Sequence, residues 1–113
     1  MQFLKNINHE EVLKLKDQVE VQEGQVVSKT LVQNDSVGIT LFAFAKGEEI
    51  STHSSHGDAL VNVLEGTGRF TVDGKDYVLN AGDSLVMPAE KPHAVYGEEN
   101  FKMCLTVIFP YEK

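Results

Sequence analysis

The stretch GEEISTHSSHGDALVNVLEG, residues 47–66, decides how the chain folds. A polar segment carrying His53 and His56 leads through Gly57-Asp58 into an apolar run that stops at Glu65-Gly66. A second stretch, GDSLVMPAEKPH at 82–93, delivers His93 behind a proline turn. Imidazoles brought from separate strands and held by Gly and Pro turns are how a β-scaffold assembles a small polar site.

Strand signals continue on both sides. Residues 36–45, SVGITLFAFA, are apolar at both parities, as in a strand covered on both faces. Asp73-Gly74, between residues 69–72 and 75–79, is a type I′ hairpin signal, and that register sets Phe70 opposite Tyr77. Residues 84–87, 93–96 and 101–109 read as further strands, separated by turns rich in Gly, Pro, Asn and Asp. Toward the N-terminus, Asn8 with Glu11 three residues on is a capping-box pattern. One or two helical turns are expected there, with Val12, Leu13 and Leu15 as their apolar face. Val19 and Val21 alternate with Glu20 and Gln22, and residues 25–32 are rich in β-branched residues, so strands are expected in both. The pattern as a whole is an all-β sandwich or barrel.

At 113 residues the chain suits one domain, with the core barrel at about 36–110 and residues 1–35 as a short helix plus strands. A hydrophobic share of 42% and a charged share of 24% suit a soluble globular protein. The formal net charge of -7 offers no basic stripe for a nucleic-acid backbone or an anionic membrane surface, so neither partner is expected. No leader or membrane-spanning run is read in the sequence. Cys104 is the only cysteine, which excludes an intrachain disulfide and a cysteine-based zinc cluster and fits a reducing, cytoplasmic setting.

The two His-bearing stretches resemble the motifs of the cupin superfamily, small antiparallel double-stranded β-helix barrels related to jelly rolls. The first cupin motif runs Gly, five residues, His-x-His, three or four residues, Glu, six residues, Gly; Gly47, His53 and Gly66 fit it. The second runs Gly, five residues, Pro-x-Gly, two residues, His, three residues, Asn; Gly82, Pro88 and His93 fit it. The departures bear on function. The second His of His-x-His falls on Ser55, with His56 one residue on; the motif Glu falls on Ala59, beside Asp58; the second motif's Gly is Glu90 and its Asn is Gly97. Adjacent strand residues face opposite ways, so His56 would join a site only through a bend or bulge between Ser54 and Gly57.

The resemblance implies His53 and His93 as ligands of a divalent metal such as Zn, Ni, Mn or Fe. His56 is a third candidate, against a solvated loop histidine. Asp58 is a weaker fourth, against a turn carboxylate. For His53 and His93 the alternative is a metal-free polar barrel mouth. Cys104 reads as a buried, inert thiol, and Phe42, Phe44, Met87 and Met103 as core. Tyr96 is read as able to reach the pocket mouth, and His9 as solvated. The function expected is a metal- or small-ligand-binding barrel; the alternative is a metal-dependent enzyme of isomerase, lyase or dioxygenase type acting on a small polar substrate. A homodimer is expected, with Val19–Val32 at the contact.

Overall fold

A computed structural model of the chain describes residues 2–111. Nine strands form two antiparallel sheets: β1 (Val26–Gln33), β2 (Val37–Phe44), β3 (Glu49–His53), β4 (Asp58–Glu65), β5 (Thr67–Val72), β6 (Lys75–Asn80), β7 (Ser84–Met87), β8 (His93–Gly97) and β9 (Phe101–Ile108). The five-stranded sheet has the order β1-β2-β9-β4-β7 and the four-stranded sheet the order β3-β8-β5-β6. This is a jelly-roll sandwich, all-β as the turn spacing implies.

Strand alternation builds the core between the sheets. Phe44, Val61, Val63, Phe70, Met87, Val95, Phe101 and Met103 all point inward and are buried. Phe44 stacks on Phe101 at 4.6 Å between ring centroids, and Phe70 meets Phe101 edge-on at 6.0 Å, the offset geometries aromatic rings prefer. Gly68 leaves room for that stack, since a Cβ there would lie 2.7 Å from the Phe101 ring. The Asp73-Gly74 hairpin turns with φ of 50° and 82°, and Phe70 pairs with Tyr77.

The chain before β1 differs from expectation. Residues 8–14 are not helical; one 3-10 turn spans Leu15–Asp17. Asn8 meets Glu11 side chain to side chain at 2.7 Å, not as a cap, Glu10 sits at φ 56°, and Val12 is wholly exposed. Nor is the Val19–Gln22 run a strand. Instead residues 2–24 form a strap across the outer face of the five-stranded sheet. There Val19, Ile7, Leu15 and Val21 pack on Leu31, Leu41, Ala43 and Cys104 in a second core. The strap is why β2 is apolar at both parities: Phe42 and Phe44 face the barrel, Leu41 and Ala43 the strap. A bulge in β1 between Thr30 and Val32 frees the Leu31 carbonyl to accept from Lys5 N–H at 2.7 Å. Lys102, buried, donates its Nζ to the Lys16 carbonyl at 2.7 Å, and Lys29 Nζ reaches the Gln18 carbonyl at 3.3 Å. The apolar residues of Val19–Val32 thus bury much of their surface against their own chain. Among the described residues no helix is long and apolar enough to cross a membrane.

Candidate functional site

Strand directions gather the ends of β3 and β7 and the starts of β4 and β8 at one end of the barrel, joined by the loops 54–57 and 88–92. His53 closes β3 and His93 opens β8, and the two are register partners. Simple alternation would not make them so. Ile50 pairs with Val95, which is inward, so two residues on Thr52 would face His93 and His53 would face out. A bulge between Ile50 and His53 inserts one residue and turns His53 onto the face of His93. The irregularity lies before His53, not between Ser54 and Gly57, and it serves His53 rather than His56.

The imidazole Nε2 atoms of His53 and His93 are 3.1 Å apart, with ring centroids at 4.3 Å. Each Nδ1 is taken by a backbone carbonyl: Ser51 O at 2.8 Å from His53 and Lys91 O at 3.2 Å from His93. A carbonyl only accepts, so each Nδ1 carries the hydrogen. In the neutral rings both Nε2 atoms then present lone pairs, and the lone pairs converge. Two acceptors at that distance require something electropositive between them, a shared proton or a cation. Burial holds the His93 pKa below the ordinary 6.5, and a proton on His53 would lower it further, while the Lys91 carbonyl pulls weakly the other way. His93 is therefore kept as neutral imidazole, the form that ligates metal.

The donor set fits a divalent ion. Two imidazole nitrogens each about 2.0–2.1 Å from one ion are about 3 Å apart at the right angle of an octahedral or square-planar site and about 3.3–3.4 Å apart at the tetrahedral angle of Zn²⁺. The second-shell partners also fit, because a ligating histidine ordinarily donates its other N–H to a carbonyl or carboxylate.

His56 and Asp58 are elsewhere. His56 is 87% exposed, and its Nδ1 meets Glu90 Oε1 at 2.7 Å. Asp58 Oδ1 accepts from the Ala89 N–H at 2.8 Å, fixing the loop ahead of His93. Among the described residues no group of three or more His, Cys, Asp or Glu is placed to hold a metal. Ala59, at the motif Glu position, is inward and buried against Met87 and Val107. Tyr96 pairs with Arg69, whose guanidinium lies 4.5 Å over its ring, on the face of the sheet opposite His93 and away from the mouth. His9 is exposed and bonds the Leu4 carbonyl at 2.9 Å. Cys104 lies under the strap, where burial raises its pKa, partly offset by a hydrogen bond from Thr106. Such a thiol is a poor nucleophile.

The middle of the barrel is filled by Phe44, Phe70 and Phe101. One cleft of about 430 Å³ runs past Val21, Lys46 and Asn100. A broader one of about 1020 Å³ lies between residues 33–36 and 108–111, with His56 and Glu90 on its border. Neither is lined by His53 or His93. Glu90 was noted in the sequence as a departure from the second motif and given no role. It stands at the second motif's glycine position with φ 67°, and a bulky residue at a position built for glycine was the available signal.

Residues 40–109 match the family described as Cupin domain. A conserved protein of unknown function from Streptococcus pyogenes is 44% identical, with 99% of this chain and 98% of that chain covered, at a TM-score of 0.96. A cupin superfamily protein from Desulfitobacterium hafniense is 39% identical over 95% of this chain and 98% of that one, at 0.90. A Cupin 2 conserved barrel domain protein from Leptotrichia buccalis is 47% identical over 82% of this chain and 45% of that chain, at 0.81. No curated protein matches the chain.

Proposed function

Because the chain belongs to the cupin family, we propose that it binds a divalent metal ion through His53 and His93 and, beside it, a small polar ligand at the barrel mouth. The observation that carries this reading is the pair of Nε2 atoms, 3.1 Å apart, with both Nδ1 hydrogens committed to carbonyls. A metal held there would supply Lewis acidity toward an oxygen of the ligand. The protein's own part is to present two imidazoles in fixed orientation and to close the inner side of the mouth with apolar core. The described residues offer two protein donors, fewer than the three that a catalytic metal site ordinarily keeps beside its open position, which favours ligand binding over the isomerase, lyase or dioxygenase reading.

The test is metal analysis and titration of Ni²⁺, Zn²⁺ and Mn²⁺ into protein made without a His tag, wild type beside His53→Ala and His93→Ala. Loss of binding in both variants supports the reading; binding unchanged in both sinks it. A homodimer is part of the proposal. The apolar side chains left exposed on the outer face of the five-stranded sheet, Leu60, Val86 and Ile108, offer a contact, and light scattering at micromolar concentration measures the mass. A monomeric mass would reject the dimer. A reducing, cytoplasmic setting fits the single buried thiol.

A further inference from the structure

We infer that His56 and Glu90 are positioning residues for the His53–His93 centre, forming a clamp between the two loops that carry it; this rests on the metal-binding reading above. His56 lies three residues after His53, and Glu90 three residues before His93. Their side chains meet at 2.7 Å, and beside them the Glu90 N–H donates to the Ser55 carbonyl at 2.8 Å. The Ala89 N–H bond to Asp58 at 2.8 Å completes a short row of cross-loop bonds. The residue after Glu90 is Lys91, whose carbonyl holds His93 Nδ1. Displacing Glu90 therefore displaces the group that orients one of the two imidazoles.

The cost of placing Glu90 there argues the same way. Its φ of 67° is in the left-handed region, where a side chain with a Cβ is strained and glycine is not. Its side chain is 65% exposed and that of His56 is 87% exposed, so the pair adds little to folding. A strained backbone supporting an exposed pair is explained by what the pair sets, the separation of the two site loops. A metal senses that separation sharply, because both donors must lie within a fraction of an ångström of their bonding distance.

The experiment compares wild type with His56→Ala, Glu90→Gln and Glu90→Gly, all without a His tag. Ni²⁺ affinity is measured by calorimetry, and thermal unfolding is followed in metal-free protein. His56→Ala is expected to weaken Ni²⁺ about tenfold, the lower end of what losing a supporting partner costs a metal site. Glu90→Gln keeps an acceptor for His56 Nδ1 and is expected to bind within about threefold of wild type. Glu90→Gly relieves the backbone and is expected to unfold at a higher temperature while binding Ni²⁺ more weakly. Stability and affinity moving in opposite directions is a result that a merely structural role does not give. Wild-type affinity in both His56→Ala and Glu90→Gly overturns the clamp, as does Glu90→Gly losing stability and affinity together. Imidazole ¹⁵N spectra of the metal-free proteins separate this test from the reading beneath it. The clamp requires discrete Nδ1–H tautomers for His53 and His93 in wild type and averaged signals in His56→Ala and Glu90→Gly. Spectra that do not change overturn it even if wild type binds no metal; absent Ni²⁺ binding with averaged variant spectra overturns only the metal reading.

Discussion

Replacing His93 with Ala separates the site from the fold most cleanly. The residue is 4% exposed, yet its side chain's polar contacts are few: Nδ1 to the Lys91 carbonyl and Nε2 to His53 Nε2. Lys91 lies in an exposed loop, so water can satisfy its carbonyl after the substitution. The loss of one neutral hydrogen bond and some packing is worth about 1–2 kcal/mol, roughly a 4–12 °C fall in Tm for a domain of this size. Metal affinity should fall much further. Structural zinc sites gain about 10–16 kcal/mol from about four donors, so one imidazole carries about 3 kcal/mol and its loss costs about 100-fold. The variant should also unfold with a different pH dependence. The His93 pKa is lowered on folding from 6.5, so the unfolded chain binds more protons at this position. Its stabilising share is whole above about pH 6.5 and drains away as pH falls through the lower folded value. Wild type should therefore lose Tm on acidification below pH 6.5, with that slope reduced in His93→Ala. Thermal unfolding from pH 5 to 8 with and without Ni²⁺, together with calorimetry, reads all three quantities. Wild-type Ni²⁺ affinity in His93→Ala would refute the placement of the centre, and an unchanged pH slope would refute the burial argument.

Ala59→Glu places a carboxylate at an inward position that is 2% exposed; metal-free protein should lose about 2–4 kcal/mol, with Ni²⁺ raising its Tm more than that of wild type. An equal Ni²⁺ gain in both would show that the carboxylate does not reach the centre. Gly66→Ala puts a Cβ 2.0 Å from the Asn100 carbonyl oxygen at φ 77°, whereas Gly82→Ala has φ 92° and no atom within 4 Å. Urea titration should find a loss of about 1–2 kcal/mol for Gly82→Ala and at least about 2 kcal/mol more for Gly66→Ala; equal losses would mean strain alone acts at both. Lys102→Met should free the Lys16 carbonyl and loosen the strap, so limited trypsin digestion should cut after Lys14 or Lys16 faster, with stability down by about 1 kcal/mol. Unchanged digestion would mean apolar contacts alone hold the strap.

The all-β class was legible because period-2 patterning and turn chemistry are local. Asp73-Gly74 specified its hairpin, and with it the Phe70–Tyr77 pairing, from the conformations its own residues tolerate. Motif spacing alone singled out His53 and His93, and the fold makes them register partners. The N-terminal strap was not, because its path is set by what it covers. Asn8 and Glu11 carry a helix signal, but burial of Val19 and Leu15 on the outer sheet, with Lys102 reaching Lys16, decides an irregular course. The face of His53 was likewise beyond sequence. A bulge moves a side chain across a sheet by adding one residue, and nothing local distinguishes a bulge before His53 from one after it. Sequence also left His56 open as a ligand; only the cross-loop contact with Glu90, 34 positions away in the chain, directs it away from the centre. Local preference thus determined the strands, the turns and the two histidines of the motifs. Long-range packing decided which face each histidine takes and which neighbour holds it there.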